Sequence, residues 1–177
     1  FRKRTVEKES VMSTYMIKTN KKRCISCKAC EVHCKLKNRV PEGAKLGLLA
    51  SKGPVKKGGK PTYLNQFMPC FHCEKPWCVS ACPTGAMIRR ESDGIVYVDQ
   101  ELCVGCKACI MACPWEVPQW QESTGTVIKC DFCMDRVDEG LDPACVTACT
   151  AHALEFLRPN RDSDRVRKNY AREKFLT

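Results

Sequence analysis

The most informative stretch of the sequence is Cys103-Val104-Gly105-Cys106-Lys107-Ala108-Cys109-Ile110-Met111-Ala112-Cys113-Pro114. Gaps of two, two and three residues separate its four cysteines. Thiolates two residues apart lie on one curled loop, so three sulfurs can converge on three irons of a cubic cluster. The three-residue gap begins a helical turn, which carries the fourth thiolate toward a second cluster. The spacing therefore predicts two neighbouring clusters.

Cysteine is the outlier of the composition, at 16 of 177 residues. The cysteines form four groups of four, which is an internal repeat. The other three groups are Cys24-x2-Cys27-x2-Cys30-x3-Cys34, Cys70-x2-Cys73-x4-Cys78-x3-Cys82 and Cys130-x2-Cys133-x11-Cys145-x3-Cys149. The first and third groups have the spacing of bacterial two-cluster ferredoxins, and the second and fourth are variants of it. Iron–sulfur clusters are therefore the predicted cofactor.

Disulfides and zinc are the alternatives for so many cysteines. Disulfides are disfavoured, because Cys-x2-Cys pairs close short, strained loops and no secretory segment is visible. Paired Cys-x2-Cys units also form zinc sites, but zinc does not need a third cysteine at this spacing and often recruits histidine. We expect the three histidines, His33, His72 and His152, to pack or to contact a cluster from outside rather than to bind metal. A zinc-containing nucleic-acid-binding protein stays as a remote alternative.

The net charge of +10 could mean a basic surface, a nucleic-acid partner or an anionic membrane. Sixteen thiolates holding four clusters of core charge 2+ would lower this charge to about +2. Cluster compensation is therefore the favoured interpretation, and no nucleic-acid partner is expected. Apolar runs are too short for a membrane span. We expect a cytoplasmic location, with export beside a catalytic partner or attachment to a membrane anchor subunit as alternatives.

The sequence between the second and third groups predicts a β-hairpin. Pro83–Arg90 and Ile95–Val98 are strand-like, and the turn signal Asp93-Gly94 lies between them. Two clusters bracketed by one hairpin form a ferredoxin-like unit, predicted over residues 66–125.

The first and last groups can form the same kind of unit. Cys149–Leu154 aligns with Cys82–Met87, a strand follows at Glu155–Leu157, and another precedes Cys24 at Thr14–Lys18. If these two strands pair, residues 14–34 and 126–157 form an outer unit that encloses the inner one in sequence. The alternative is that consecutive groups pair, the first with the second and the third with the fourth.

The predicted fold class is α+β, with two ferredoxin-like units, one nested in the other, built from short β-hairpins, short helices and long loops. Residues 35–65 are predicted to be a basic linker loop, because Lys52–Pro61 is rich in Lys, Gly and Pro. Residues 158–177 are predicted to form a charged arm.

Under the nested pairing, each cluster takes three cysteines from one group and its fourth from the partner group. The predicted ligand sets are Cys24, Cys27, Cys30 and Cys149 (set 1); Cys34, Cys130, Cys133 and Cys145 (set 2); Cys70, Cys73, Cys78 and Cys113 (set 3); and Cys82, Cys103, Cys106 and Cys109 (set 4).

The chain resembles the four-cluster iron–sulfur subunits of the dimethyl sulfoxide reductase type. These include the electron-transfer subunits of polysulfide, thiosulfate, nitrate and formate enzymes and related small subunits of tungsten aldehyde oxidoreductase-like complexes. The resemblance covers residues 15–157. It is most specific over the stretch from Cys70–Ala86 through Cys113–Trp115, and Lys129–Arg136 matches too. It also implies the nested pairing.

The resemblance implies a subunit that relays electrons between a molybdenum- or tungsten-pterin catalytic subunit and a further redox subunit or soluble carrier. A free-standing polyferredoxin is the main alternative. No catalytic triad, phosphate loop or pair of catalytic carboxylates stands out, so we expect no active site in this chain. Thr150 departs from the family, because many relatives have proline there. Some relatives replace one cysteine by tryptophan and hold a three-iron cluster. Here all sixteen positions are cysteine, so we expect four [4Fe-4S] clusters.

Overall fold

The computed structural model describes residues 15–158, 167–168 and 171–172. This part of the chain contains eight short strands and five short helices. In chain order they are β1 (Met16–Thr19), α1 (Ala29–Asn38), β2 (Leu48–Lys57), β3 (Lys60–Met68), α2 (Trp77–Ser80), β4 (Met87–Arg89), β5 (Val96–Val98), α3 (Ala108–Ala112), β6 (Gln119–Gln121), β7 (Thr126–Ile128), α4 (Met134–Asp138), α5 (Ala144–Thr147) and β8 (Leu154–Leu157). The predicted mixture of short helices and short hairpins is confirmed.

The strands pair into four two-stranded antiparallel ribbons. The predicted hairpin between the second and third cysteine groups is β4–β5, with Ile88 opposite Tyr97. Its turn is held by Asp93, which accepts hydrogen bonds from the Arg90 guanidinium and the Ile95 N–H. Gly94 follows with φ of 75°, a left-handed conformation that glycine adopts without steric cost.

The first strand pairs with the last. In the β1–β8 ribbon Ile17 lies opposite Phe156 and Thr19 opposite Leu154. All four side chains are buried, so one face of the ribbon packs inward. The strand predicted at 14–18 begins at Met16, and Thr14 lies outside the described residues. This ribbon connects segments more than 130 residues apart in sequence.

The prediction of a basic linker loop is wrong, because β2 and β3 form a hairpin over most of residues 48–68. Leu49 and Phe67 are buried opposite each other near its base and fix it to the protein. Its basic outer end is exposed and turns at Gly58 and Gly59. Burial at the base therefore specifies the strands, while the tip keeps a loop-like composition.

Two other boundaries differ or lie beyond the described structure. The expected division between residues 125 and 126 falls inside the β6–β7 hairpin, where Trp120 lies opposite Val127. Of the predicted charged arm 158–177, only 158, 167–168 and 171–172 are described, and the last two pairs are helical.

The buried residues of the described chain form two clusters, and cysteines belong to both. The larger cluster contains Ile17, Phe67, Phe132 and Phe156 together with Cys30, Cys145 and Cys149. The smaller one consists of Met87, Val96, Cys109 and Val127. Because cysteines belong to both cores, a group bound to these cysteines would lie inside the fold.

Candidate metal centres

Four cavities are each lined by four cysteines, and together these account for all sixteen cysteines. The first has Cys24, Cys27, Cys30 and Cys149; the second Cys34, Cys130, Cys133 and Cys145; the third Cys70, Cys73, Cys78 and Cys113; and the fourth Cys82, Cys103, Cys106 and Cys109. Each encloses about 310–390 Å³ of empty space, part of it open to solvent. The structure thus brings together the cysteines of sets 1 to 4 as predicted from the sequence. That they bind clusters stays a prediction.

The thiols surround a space in each cavity instead of converging on one point. Among the described residues, no three or more His, Cys, Asp or Glu side chains are close enough to hold a single metal ion. A zinc ion needs its donors around one centre. A cubic cluster instead binds one thiolate at each of four separate irons, which fits cysteines distributed around a cavity.

Helical turns join the cavities in pairs. Cys30 and Cys34 lie one turn apart on α1, and Cys145 of α5 lies one turn before Cys149. Four residues of helix rise about 6 Å, so the sulfurs face the same side but enter adjacent cavities. Cavities 1 and 2 are joined in this way. The α2 and α3 turns join cavities 3 and 4 through Cys78 with Cys82, and Cys109 with Cys113.

The loops that carry the cysteines share a backbone feature. The residue before the second cysteine of every group has a positive φ: 59° at Ser26, 45° at His72, 67° at Gly105 and 56° at Phe132. The left-handed conformation is uncommon for residues other than glycine. It recurs at this one position in all four groups, so the four loops share a left-handed residue before their second cysteine. Amide N–H groups meet sulfurs on such bends, as in the bond of 3.4 Å from the His72 N–H to Cys70 Sγ.

Eight of the sixteen thiols are shifted toward the neutral form. Burial raises the pKa of the Cys30, Cys34 and Cys109 thiols to about 11. Burial also raises the pKa of Cys145, and the thiolates of Cys34, Cys133 and Cys30 add to this. Clusters bind thiolates, so iron binding must displace protons from these groups.

Cavities 2 and 3 meet at a pair of stacked rings. His72 lines cavity 3 and Phe132 lines cavity 2, and their ring centroids are 3.8 Å apart. Beside them the buried Lys129 donates hydrogen bonds to the carbonyl oxygens of Val96 and Cys130. Burial, and secondly the charge of Lys129, hold the pKa of His72 well below its ordinary value, so its ring is neutral. The sequence alone did not distinguish His72 from the other two histidines.

Cavities 1 and 4 are the two that contain a solvent-exposed cysteine. Cys27 of cavity 1 and Cys106 of cavity 4 are the exposed members among the sixteen. Three of the four cysteines of cavity 2 are buried. Cavities 1 and 4 also each have an exposed aliphatic side chain in their lining, Ile25 in cavity 1 and Val104 in cavity 4.

One further concavity lies between β1 and the loop at residues 69–74. It contains about 1160 Å³ of empty space, including open solvent, and only Cys70 and Cys73 of the sixteen cysteines reach its lining. No helix of the described residues is long and apolar enough to span a membrane.

Comparison with known proteins gives the class. Two models of a 4Fe-4S dicluster domain match the chain, one over residues 63–158 and one over residues 23–86. The chain is therefore a ferredoxin-like protein with two dicluster domains, which with its sixteen cysteines corresponds to four [4Fe-4S] clusters.

Three relatives define the family more narrowly. The thiosulfate reductase electron transfer subunit PhsB of Salmonella typhi is 44% identical over 147 residues, covering 81% of this chain and 76% of the relative. One chain of the anaerobic dimethyl sulfoxide reductase of Escherichia coli is 43% identical, covering 76% and 68%. One subunit of the tetrathionate reductase of Salmonella typhimurium is 40% identical, covering 78% and 56%. The chain belongs to the family of iron–sulfur electron-transfer subunits of dimethyl sulfoxide, thiosulfate and tetrathionate reductases. The resemblance found in the sequence is thereby confirmed.

Proposed function

We propose that this chain relays electrons through four [4Fe-4S] clusters between a molybdenum- or tungsten-pterin catalytic subunit and a further redox subunit or soluble carrier. The observation that carries the proposal is the distribution of the sixteen cysteines over four cavities, four to each. When bound, the clusters supply one-electron redox chemistry. The chain's own residues hold the clusters, exclude water and set their spacing.

In this proposal sets 1 to 4 are the ligand sets, and the outer unit (14–34 with 126–157) encloses the inner unit (66–125). Two observations support the nesting. Strand β1 pairs with β8, and Cys149 lies in the cavity of Cys24, Cys27 and Cys30. The two dicluster-domain matches cover continuous stretches of sequence, and one of them includes the first two cysteine groups. They therefore do not decide which groups pair in space. The strand pairing and the cavities concern residues that are neighbours in space, and they support the nested arrangement.

The clusters would lie in the order 1, 2, 3, 4. Electrostatic contacts between sets support this order, since each neighbouring pair of cavities has one. Cys30 of set 1 raises the pKa of the largely buried Cys145 of set 2. Burial raises the pKa of Cys130 of set 2, and Cys70 of set 3 raises it further. Cys78 of set 3 acts in the same direction on Cys109 of set 4.

Electrons would enter and leave at clusters 1 and 4. Electron tunnelling falls steeply with distance, so an exchange partner needs a cluster close to the surface. The two exposed cysteines, Cys27 and Cys106, belong to those two sets. A cytoplasmic location, or export together with the catalytic subunit, stays a prediction.

Metal analysis of the anaerobically purified chain tests the proposal. We expect about sixteen iron atoms and as many acid-labile sulfides per chain, four for each cube. Stoichiometric zinc, or iron near eight, would contradict four clusters. Co-purification of a pterin-containing subunit supports the relay, whereas a chain that is isolated only as a monomer from its native source supports a free-standing polyferredoxin.

A further inference from the structure

His72 is buried at the junction of cavities 2 and 3, with 1% of its surface exposed. Its ring stacks on Phe132 at an interplanar angle of 27°. Its Nδ1 accepts a hydrogen bond of 2.9 Å from the Val96 N–H. Because Nδ1 accepts this bond, it carries no proton, and the ring proton lies on Nε2.

The Nε2–H group has no partner among the described protein atoms, although it is buried. Buried donors are almost always satisfied, and leaving one unsatisfied costs free energy. His72 is one of the residues that line cavity 3, together with Cys70, Cys73, Cys78 and Cys113. A [4Fe-4S] cluster in this cavity brings sulfide and thiolate sulfurs, which accept hydrogen bonds.

We propose that the imidazole of His72 donates a hydrogen bond from Nε2 to a sulfur of the cluster held by set 3, and so raises the reduction potential of that cluster. The inference rests on the proposed function, because it requires a cluster in cavity 3. Reduction adds negative charge to the cluster, and a hydrogen bond to its sulfur stabilises the reduced form more than the oxidised form. His72 is thus a positioning and tuning residue and not an iron ligand.

Among the four loops, only that of set 3 has a histidine before its second cysteine. The equivalent positions in the other loops are Ser26, Gly105 and Phe132. Glycine and phenylalanine have no donor there, and the Ser26 hydroxyl pairs with the hydroxyl of Ser51. The other two histidines, His33 and His152, are exposed and line none of the four cysteine cavities.

Val96 explains how the ring is held. Its N–H binds His72 Nδ1, and its carbonyl oxygen accepts from the buried Lys129. One residue of β5 therefore fixes both the orientation of the imidazole and the position of a cation beside cavity 3. Because Nδ1 is occupied, the ring cannot present its lone pair to the cluster without breaking the Val96 bond.

A redox titration of the cluster-loaded chain, followed by electron paramagnetic resonance, tests the proposal. In His72→Phe, which retains a ring for stacking, we expect one midpoint potential to fall while the other three stay unchanged. His72→Gln retains an acceptor and a donor, and should restore part of the shift. His33→Phe is the matched control, and should leave all four potentials unchanged. Four unchanged potentials in both His72 variants would overturn the proposal.

A second measurement detects the contact between His72 and the cluster directly. The wild-type chain is produced in cells supplied with 15N-labelled histidine, and its clusters are reduced one after another by lowering the applied potential. We expect hyperfine coupling between one reduced cluster and a histidine nitrogen. His33→Phe should retain this coupling and His72→Phe should lose it. A chain that binds about sixteen irons without such coupling overturns the role of His72 and leaves the proposed function intact. A chain without a cluster at set 3 overturns both.

Discussion

Two threonine hydroxyls lie beside cysteine sulfurs, one at cavity 1 and one at cavity 4. Thr150 Oγ1 is 3.6 Å from Cys27 Sγ, and Thr84 Oγ1 is 3.7 Å from Cys82 Sγ. The Ala29 N–H and, after it, the Thr150 hydroxyl lower the pKa of the Cys27 thiol. Thr150 occupies the position at which many members of the family have proline, which has no hydroxyl. The departure noted in the sequence therefore adds a polar contact to cavity 1.

We expect Thr150→Val to lower the reduction potential of cluster 1, because a hydrogen bond to a ligand sulfur stabilises the reduced cluster. Thr150→Ser retains the hydroxyl and is the matched control, so its potential should stay close to that of the wild type. Redox titration of both cluster-loaded variants measures the difference. Equal potentials in the two variants would show that the hydroxyl does not affect the cluster.

Gly105 has no space for a side chain. A Cβ atom there would lie 2.2 Å from the carbonyl oxygen of Gly125 and 3.0 Å from the Trp120 ring. We expect Gly105→Ala to displace the loop of set 4 and to give a chain with about twelve irons instead of sixteen. Gly125→Ala is the control, since it also has a positive φ but meets nothing within 4 Å. If Gly125→Ala loses as much iron as Gly105→Ala, backbone strain and not the close approach decides the outcome. About sixteen irons in both variants would contradict the prediction.

At the residue scale, sequence reasoning identified the cysteines but not their polar neighbours. Cysteine spacing is local, so the ligand groups can be read along the chain. The contact between Cys27 and Thr150 joins residues 123 positions apart, and no local pattern predicts it. The sequence also did not predict the positive φ at His72 and Phe132. Of the four equivalent positions only Gly105 is a glycine, the residue type typical of a left-handed conformation.

At the scale of elements, a buried carboxylate fastens hairpin β2–β3 to helix α1. Glu31 accepts a hydrogen bond of 2.6 Å from the Leu49 N–H and forms an ion pair of 3.3 Å with Lys45. Its side chain is 8% exposed. Asp135 on α4 forms a comparable pair with Lys37 of α1, but is 57% exposed. Each pair has one partner on α1, so a buried and an exposed carboxylate can be compared at the same helix.

We expect Glu31→Ala to destabilise the chain by about 1–3 kcal/mol, because the buried Leu49 N–H loses its acceptor. For a domain of this size, each kcal/mol lowers the thermal midpoint by roughly 2–4 °C. The matched variant Asp135→Ala should cost about 0–1 kcal/mol, since exposed ion pairs are screened by water. Thermal unfolding under anaerobic conditions measures both. A loss for Asp135→Ala as large as that for Glu31→Ala would contradict this ranking.

The sequence predicted β4–β5 but not β2–β3, and the difference is physical. In β4–β5 all strand residues except Arg89 are apolar, β-branched or aromatic, and Asp93-Gly94 specifies the turn. In β2–β3 the segment Lys52–Pro61 contains four lysines, three glycines and two prolines, which indicates a loop. The pairing there depends on long-range contacts at the base of the hairpin, such as the Glu31–Leu49 bond, and these are not visible in local composition.

For the whole molecule, the prediction that the first and last groups are neighbours came from the alignment of Cys149–Leu154 with Cys82–Met87. The backbone follows that alignment, because the matched residues His152 and Gly85 both have positive φ, 46° and 70°. Each segment then enters a strand, β8 in one case and β4 in the other. The alignment worked because the repeat includes the turn after the last cysteine and not only the cysteines. Which groups share clusters is a question for experiment.

The substitution Cys34→Ser distinguishes the nested from the consecutive pairing. By the ferredoxin rule, Cys34 completes a cluster of another group and not that of its own. In the nested arrangement this is the cluster of Cys130, Cys133 and Cys145, the cysteines that share its cavity. In the consecutive arrangement it is the cluster of the second group. Serine is a poorer iron ligand than thiolate, so the affected cube should lose an iron or change its potential.

Spectroscopy of Cys34→Ser shows that one cluster changes, and anomalous iron density in a crystal of the variant shows which one. We expect the defect beside Cys145, and iron elsewhere at full occupancy. Cys24→Ser is the control, because both arrangements place its defect at the first group. A Cys34→Ser defect beside Cys70 and Cys78 would refute the nested arrangement. The electron path would then run from the first group to the second without passing the fourth, and the stacked rings of His72 and Phe132 would no longer separate consecutive clusters.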